Sequence, residues 1–275
     1  MRRSRLRARR QPPKRNLDRA IGSTFYYSGG RGASMRKMSL TPELVALCER
    51  AVAEPPPDER WTPLSNTDYS DLVSRFSEEI GDGDLWVFAY GSLIWKPEFE
   101  VTDRMKGTAY GWHRSFCLEL VTWRGTPEQP GLMMALERGG RCDGFLLKVG
   151  RNDHKKAIDR LLRREVWDQE SIYTTRWIKV LSGKGPIRAL SFWVGPLPGE
   201  GVMLGQPIER VAWMLARACG YAGSCAAYLY NTVLHLEEFG IHDRKLWLLQ
   251  KLVADEIRLL HPTMTVTTNQ VITSS

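Results

Sequence analysis

The sequence predicts an α+β fold organised around an antiparallel or barrel-like sheet. Turn-bounded runs of apolar and aromatic residues follow one another as hairpins between residues 107 and 195. Such a series favours pairing of neighbours in sequence over strand–helix–strand crossovers. Helical patterns interrupt this block once and then close it. A chain of 275 residues, 43% apolar and 25% charged, has room for one sizeable domain or at most two small ones.

The elements follow in order. Residues 1–38 are rich in Arg, Pro, Gly and Ser, too poor in aliphatic residues to order themselves. This tail has the composition of an organelle transit peptide or of a nucleic-acid-binding arm. A third reading is a segment upstream of a true start at Met35 or Met38, and that reading, or a tail without function, is preferred over the other two. Residues 39–84 are expected to hold N-terminal helices and a linker. Thr41 and Pro42 predict a helix over 40–53, ended by Pro55, Pro56 and Pro57. Residues 54–68 read as linker and 69–81 as a helix closed by Gly81. Leu85-Trp86-Val87-Phe88-Ala89 is a buried strand that breaks at Tyr90-Gly91-Ser92-Leu93. A long strand over 107–123, bent at Gly111, precedes a turn-rich loop. Leu132–Arg138 and Cys142–Val149 are expected to pair around a Gly139-Gly140 turn. Residues 175–182 and 187–195 form a second hairpin. Asp153 caps a helix to about Glu165, and a helix over 207–219 stops at Gly220. Ser224 caps 225–239, which stops at Gly240. Asp243 caps 244–260, with Leu246, Leu249, Val253, Ile257 and Leu260 on one face. Residues 262–275 read as a frayed end.

Charge and cysteines exclude several classes. Residues 1–38 carry twelve Arg and Lys against one acid, Asp18, which is +11; the formal +8 of the chain less +11 leaves −3 on the other 237 residues. A basic nucleic-acid face is therefore not expected on the folded part. Five cysteines without a CxxC pair argue for reduced thiols and a cytoplasmic setting rather than a disulfide framework. No apolar run reaches the roughly 18 residues that a membrane span needs, and no apolar segment of a secretory signal follows the basic start.

Two places carry candidate chemistry. The Tyr90–Leu93 break is either a tight turn leaving a core strand or a loop whose backbone N–H groups nest an anion. Glu165 falls on the apolar stripe of its helix, after Ala157, Ile158, Leu161 and Leu162. A carboxylate drawn toward a core acquires a raised pKa, as a general base working near neutrality needs. Alternatively the helix ends there and Glu165 turns to solvent or pairs with an arginine. Weaker candidates are His235 and His242 as metal ligands, Cys225 as a thiolate at a helix N-terminus, and Tyr228 with Asn231 on one side of a helix. GxSxG, P-loop and GxGxxG motifs are absent from the sequence.

Val87-Phe-Ala-Tyr-Gly-Ser-Leu-Ile-Trp-Lys-Pro97 resembles the signature of the ChaC family of gamma-glutamylcyclotransferases. So do Arg124–Gly131, Leu162-Arg-Arg-Glu165, Tyr173 to Trp177, and Gly223-Ser-Cys225 to Val233. Five blocks in the right order span roughly residues 85–250. The resemblance implies a small mixed β-barrel with flanking helices, and a catalytic domain over 85–261. It implies a lyase that needs no cofactor and no metal and splits glutathione, a small-molecule substrate, into 5-oxoproline and cysteinylglycine. The family's substrate-binding segment falls on Ala89, Tyr90, Gly91, Ser92, Leu93 and Ile94. Its catalytic glutamate falls on Glu165, and a site-lining tyrosine on Tyr173. A regulatory protein that only binds gamma-glutamyl compounds, or a cyclotransferase for other gamma-glutamyl peptides, are the alternatives. Neither a nucleic-acid nor a membrane partner is implied, and no oligomeric state. Three departures bear on substrate preference and catalytic rate more than on reaction type: Ala89 stands where glycine is common, the segment from Glu165 to Tyr173 is about two residues longer, and Thr174 stands where an arginine usually follows that tyrosine.

Overall fold

The computed structural model describes residues 37–56, 62–196 and 201–262. Residues 1–36 of the expected tail and 263–275 of the expected frayed end lie outside them.

Five strands close a barrel in the order β1-β3-β2-β4-β5. They are β1 (Leu85–Ala89), β2 (Val101–Leu120), β3 (Gly131–Val149), β4 (Thr175–Ser182) and β5 (Gly185–Phe192). Every pairing is antiparallel except the seam, where β1 meets β5 in parallel at Val87 and Leu190. The expected mixed barrel is therefore present. β1 is buried on both faces: Trp86 and Phe88 join a cluster drawn from all five strands, while Leu85, Val87 and Ala89 join the core under the helices. Two-sided burial is why this strand reads as a continuous apolar run rather than an alternating one.

The Gly139-Gly140 hairpin does not form. Residues 131–149 are one strand paired along the length of β2, from Leu120↔Gly131 to Val101↔Val149. The register slips between Tyr110↔Arg141 and Trp112↔Arg138, where Gly111, Gly139 and Gly140 all have positive φ. The glycines thus supply a paired bulge that bends a long ribbon instead of a reversal. β4 and β5 form the expected hairpin, with a turn of only Gly183 and Lys184.

The helices are α1 (Pro42–Ala46), α2 (Asn66–Ile80), α3 (His154–Glu165), α4 (Ile208–Arg217), α5 (Cys225–Glu238) and α6 (Arg244–Leu260). Thr41 caps α1 as expected, but the helix ends at Ala46 rather than 53. The chain leaves it to dock: Cys48 Sγ donates to Ala216 O (3.3 Å) and Arg50 Nη2 to Arg217 O (2.8 Å). α2 starts three residues before the expected position because Ser65 and Asp68 form a capping box. α4 stops at Arg217, and Gly220 is no helix stop. It lies in a two-residue strand, β6 (Cys219–Gly220), paired with β7 (Gly223–Ser224). A Cβ on Gly220 would lie 2.2 Å from Trp123 O, so glycine is required there for close approach. Ser224 and Asp243 cap α5 and α6 as expected. Leu246, Leu249, Val253 and Ile257 are buried, but Leu260 is exposed at the helix end.

Candidate active site

The segment after β1 is held from two sides. Tyr90 is half-buried, and its carbonyl accepts from Arg114 Nε on β2 at 2.6 Å. Arg114 also donates to Asp143 O and pairs through Nη1 with Asp243 Oδ2 at 3.0 Å. Beyond Gly91 a single 3-10 turn covers Ser92–Ile94. Its hydrogen bonds begin with Ile94 N–H donating to Gly91 O (2.9 Å), so the N–H groups of Ser92 and Leu93 open the turn without an acceptor inside it. The Ala89, Leu93 and Ile94 side chains are buried. They are the wall that fixes the backbone. At the far end Trp95 stacks on His235 of α5, 4.7 Å between ring centroids.

The second holder is Arg164, in the last turn of α3. It donates through Nη2 to Ser92 Oγ and through Nη1 to Lys96 O, both at 2.6 Å, and its Nε lies 2.9 Å from Glu165 Oε1. One guanidinium thus bridges the turn and the carboxylate.

Glu165 is the last helical residue. Ala157, Ile158, Leu161 and Leu162 are buried along the predicted stripe. Val166 leaves the helix in extended conformation and its carbonyl accepts from Tyr69 Oη of α2 at 2.7 Å. The Glu165 side chain is 27% exposed, so both sequence readings hold in part: it sits on the core stripe, and it pairs with an arginine. Burial raises its pKa, the neighbouring Arg164 opposes the rise, and the negative charge of Glu98 adds to it.

Two phenols share this space. Burial, and then the charge of Glu165, push Tyr228 up to about 12. The same two causes, in the same order, push Tyr90 well above its ordinary value. Both remain protonated donors. A Cβ on Gly91 would stand 3.8 Å from Tyr228 Oη and 2.9 Å from Met134 Cε, so the bare glycine leaves the gap between turn and tyrosine open.

Tyr173 is 68% exposed in a 3-10 turn. Asn231 is exposed on α5. His235 and His242 bond to Glu238 (2.8 Å) and Glu237 (2.7 Å), and among the described residues no group of three His, Cys, Asp or Glu could hold a metal ion. Cys225 is buried and its thiol is pushed up to about 11, so the helix N-terminus does not make it a thiolate. Sequence reasoning left Arg114 and Arg164 out of the site. Arg164 was visible beside Glu165 in the Leu162–Glu165 block, whereas Arg114 carries no local signal.

The family model for ChaC-like proteins matches residues 85–256. The chain belongs to the ChaC-like family. Among its relatives, a glutathione-specific gamma-glutamylcyclotransferase of Escherichia coli is 34% identical over 163 residues, covering 59% of this chain and 69% of the relative. Gamma-glutamylcyclotransferase 2-1 of Arabidopsis thaliana is 30% identical, covering 63% of this chain and 82% of that one. A crystal structure of a glutathione-specific gamma-glutamyl cyclotransferase from yeast superimposes with a TM-score of 0.56 at 20% identity. It spans 63% of this chain and 96% of its own, and supports the fold. The matched region begins at Leu85, the first residue of β1, and ends within α6, so it takes in the barrel, the turn and Glu165.

Proposed function

We propose that this protein degrades glutathione as a gamma-glutamylcyclotransferase, with Glu165 as its general base. The observation that carries the reading is the placement of one partly buried carboxylate beside a turn with open N–H groups and two protonated phenols.

The substrate's α-amine is protonated in water. Ionised Glu165 accepts one proton, and the freed nitrogen attacks the γ-carbonyl carbon of the same glutamyl unit. A carbon–nitrogen bond forms and charge builds on the carbonyl oxygen. The amides of Ser92 and Leu93 receive the glutamyl α-carboxylate, and the Tyr228 hydroxyl donates to the developing oxyanion. The bond to the cysteinyl nitrogen then breaks as Glu165 returns its proton to that leaving nitrogen, and the second proton of the new ring nitrogen follows through Glu165 to the freed amine, which departs as an ammonium. The products are 5-oxoproline and cysteinylglycine, with neither water nor a net proton consumed. Nucleophile and electrophile belong to one molecule, so holding them in a reactive geometry supplies on the order of 7–11 kcal/mol of the barrier reduction. The proton transfers contribute about 10²–10⁴-fold.

Substrate contacts are assigned to Ala89, Tyr90, Gly91, Ser92, Leu93, Ile94 and Tyr173, within a catalytic domain over 85–261. Five buried free thiols suit a reducing, cytoplasmic setting, and no described helix is long and apolar enough to cross a membrane. The deciding assay measures 5-oxoproline release from glutathione by the wild type and by Glu165→Gln. Release by the first and not by the second is expected. Equal release by both would remove Glu165 from the mechanism.

A further inference from the structure

Arg124 packs against Tyr228, whose hydroxyl lies near Gly91. Its guanidinium carbon lies 5.7 Å from the Tyr228 ring centroid and 5.6 Å from that of Trp123. The backbone that delivers it is tightly fixed. Trp123 has φ +62°, a conformation that bulky residues rarely adopt and that recurs where a protein holds a functional group in place. Arg124 O accepts from Cys225 Sγ at 3.2 Å. A Cβ on Gly131 would lie 2.7 Å from that carbonyl, so glycine is needed to let the two strands of chain meet.

The head of this residue is underused by comparison. Its Nη1 donates to Ser224 O at 3.2 Å. Its Nε is buried and has no hydrogen-bond partner among the described residues. Glu49 comes near: a Cβ on Gly223 would meet Arg124 Nη1 at 3.3 Å and Glu49 Oε2 at 3.6 Å. Yet Glu49 Oε1 is engaged by the N–H and hydroxyl of Ser224 at 3.1 and 2.6 Å, and no ion pair among the described residues joins it to Arg124. Buried donors are ordinarily satisfied, and a guanidinium is built to grip a carboxylate with two parallel bonds. A fixed, half-buried cation with an unsatisfied donor, packed on the tyrosine ring whose hydroxyl lies near Gly91, is suited to an anionic group at the remote end of the bound molecule.

We infer that Arg124 receives the C-terminal carboxylate of a gamma-glutamyl peptide and makes the site selective for substrates that carry one. The inference rests on the proposed reaction, which places the glutamyl head at the turn and beside Glu165. That leaves the glycyl carboxylate of glutathione as the anion to be met elsewhere. Neutral gamma-glutamyl amines and peptide amides would then be poor ligands even though their reacting atoms are the same.

The test compares glutathione with its glycinamide, in which the carboxylate becomes a neutral amide. Equilibrium binding is measured by calorimetry on Glu165→Gln protein, with Arg124 intact, as Arg124→Lys and as Arg124→Ala. With Arg124 intact, glutathione should bind about 10- to 100-fold more tightly than the amide. Arg124→Ala should collapse that ratio toward one, and Arg124→Lys should retain part of it. Binding of the amide by each variant reports that the fold survives. A ratio near one with Arg124 intact, or a ratio unaltered in Arg124→Ala, overturns the inference. Turnover by the Glu165-containing enzyme is read separately. Acid-selective binding without 5-oxoproline release sinks the proposed reaction and leaves Arg124 its role. Release without acid selectivity does the reverse.

Discussion

Arg114 and Arg164 hold the two ends of the same turn in opposite surroundings. The Arg114 side chain is 2% exposed, and its partners are two backbone carbonyls and Asp243, none of which takes part in the proposed reaction. The Arg164 side chain is 21% exposed. Its partners are a hydroxyl, a carbonyl, Glu98 at 3.4 Å and Glu165, which gains and loses a proton in each proposed cycle. The first arginine therefore belongs to the scaffold. The second couples the turn to the charge of the base, and tightens or slackens as that charge changes.

The largest effect that would sharpen this contrast is at Glu165. Replacement with Gln should lower the rate about 10³-fold or more while thermal stability at pH 7 holds or rises. The sign follows from linkage. The folded pKa is raised, so the stability associated with this group is complete below its unfolded pKa and is lost as pH climbs through the folded one. Glutamine removes that loss. A variant that melts well below the wild type would mean that the pair with Arg164 outweighs desolvation.

Next comes Arg114→Ala. It strands a partly buried carboxylate and two carbonyls, and denaturant titration should show a loss of about 3–5 kcal/mol. Stability within about 1 kcal/mol of wild type would break the contrast, since Arg114 would then be no scaffold.

Arg164→Ala should lose about 10- to 100-fold in rate, with under about 1 kcal/mol of stability because the site is partly screened. The acid limb of its pH–rate profile should move upward, because the cation that opposes the raised pKa of Glu165 is gone. An unmoved limb would separate Arg164 from the base.

The smallest effect is expected at Gly91→Ala. The new methyl presses on the flexible end of Met134 at 2.9 Å and meets Tyr228 Oη at an ordinary 3.8 Å, so stability should change by less than about 1 kcal/mol. KM should rise several-fold as the gap before Tyr228 narrows. A stability loss larger than that at Arg114 would show the turn, rather than its anchors, to be the rigid part.

The two halves of this comparison were not equally visible beforehand. Glu165 could be found because an acid on an apolar stripe breaks a local period. Ser224 and Asp243 could be placed because capping chemistry spans only three residues. Arg114 sits in a strand where its side chain reads as an ordinary polar alternation, and its partner Asp243 is 129 positions away. Gly139-Gly140 misled for the same reason: a glycine pair looks alike in a bulge and in a reversal, and only a distant strand decides which. Helix α1 ends early because Cys48 and Arg50 bond to carbonyls 168 and 167 positions on. What the sequence obscured was whatever depended on contacts formed after the chain had come together.

Asp243 uses Oδ2 to hold Arg114, while its Oδ1 caps α6 through the N–H groups of Lys245 and Leu246 at 3.1 and 3.2 Å. One carboxylate thus ties the last helix to the turn that follows the first strand. During synthesis the barrel can close long before residue 243 emerges, yet Tyr90 stays without its full anchor until α6 has wound. Maturation of the site is therefore timed by the last helix, and a nascent chain halted short of it would have a nearly complete wall around an unfinished grip.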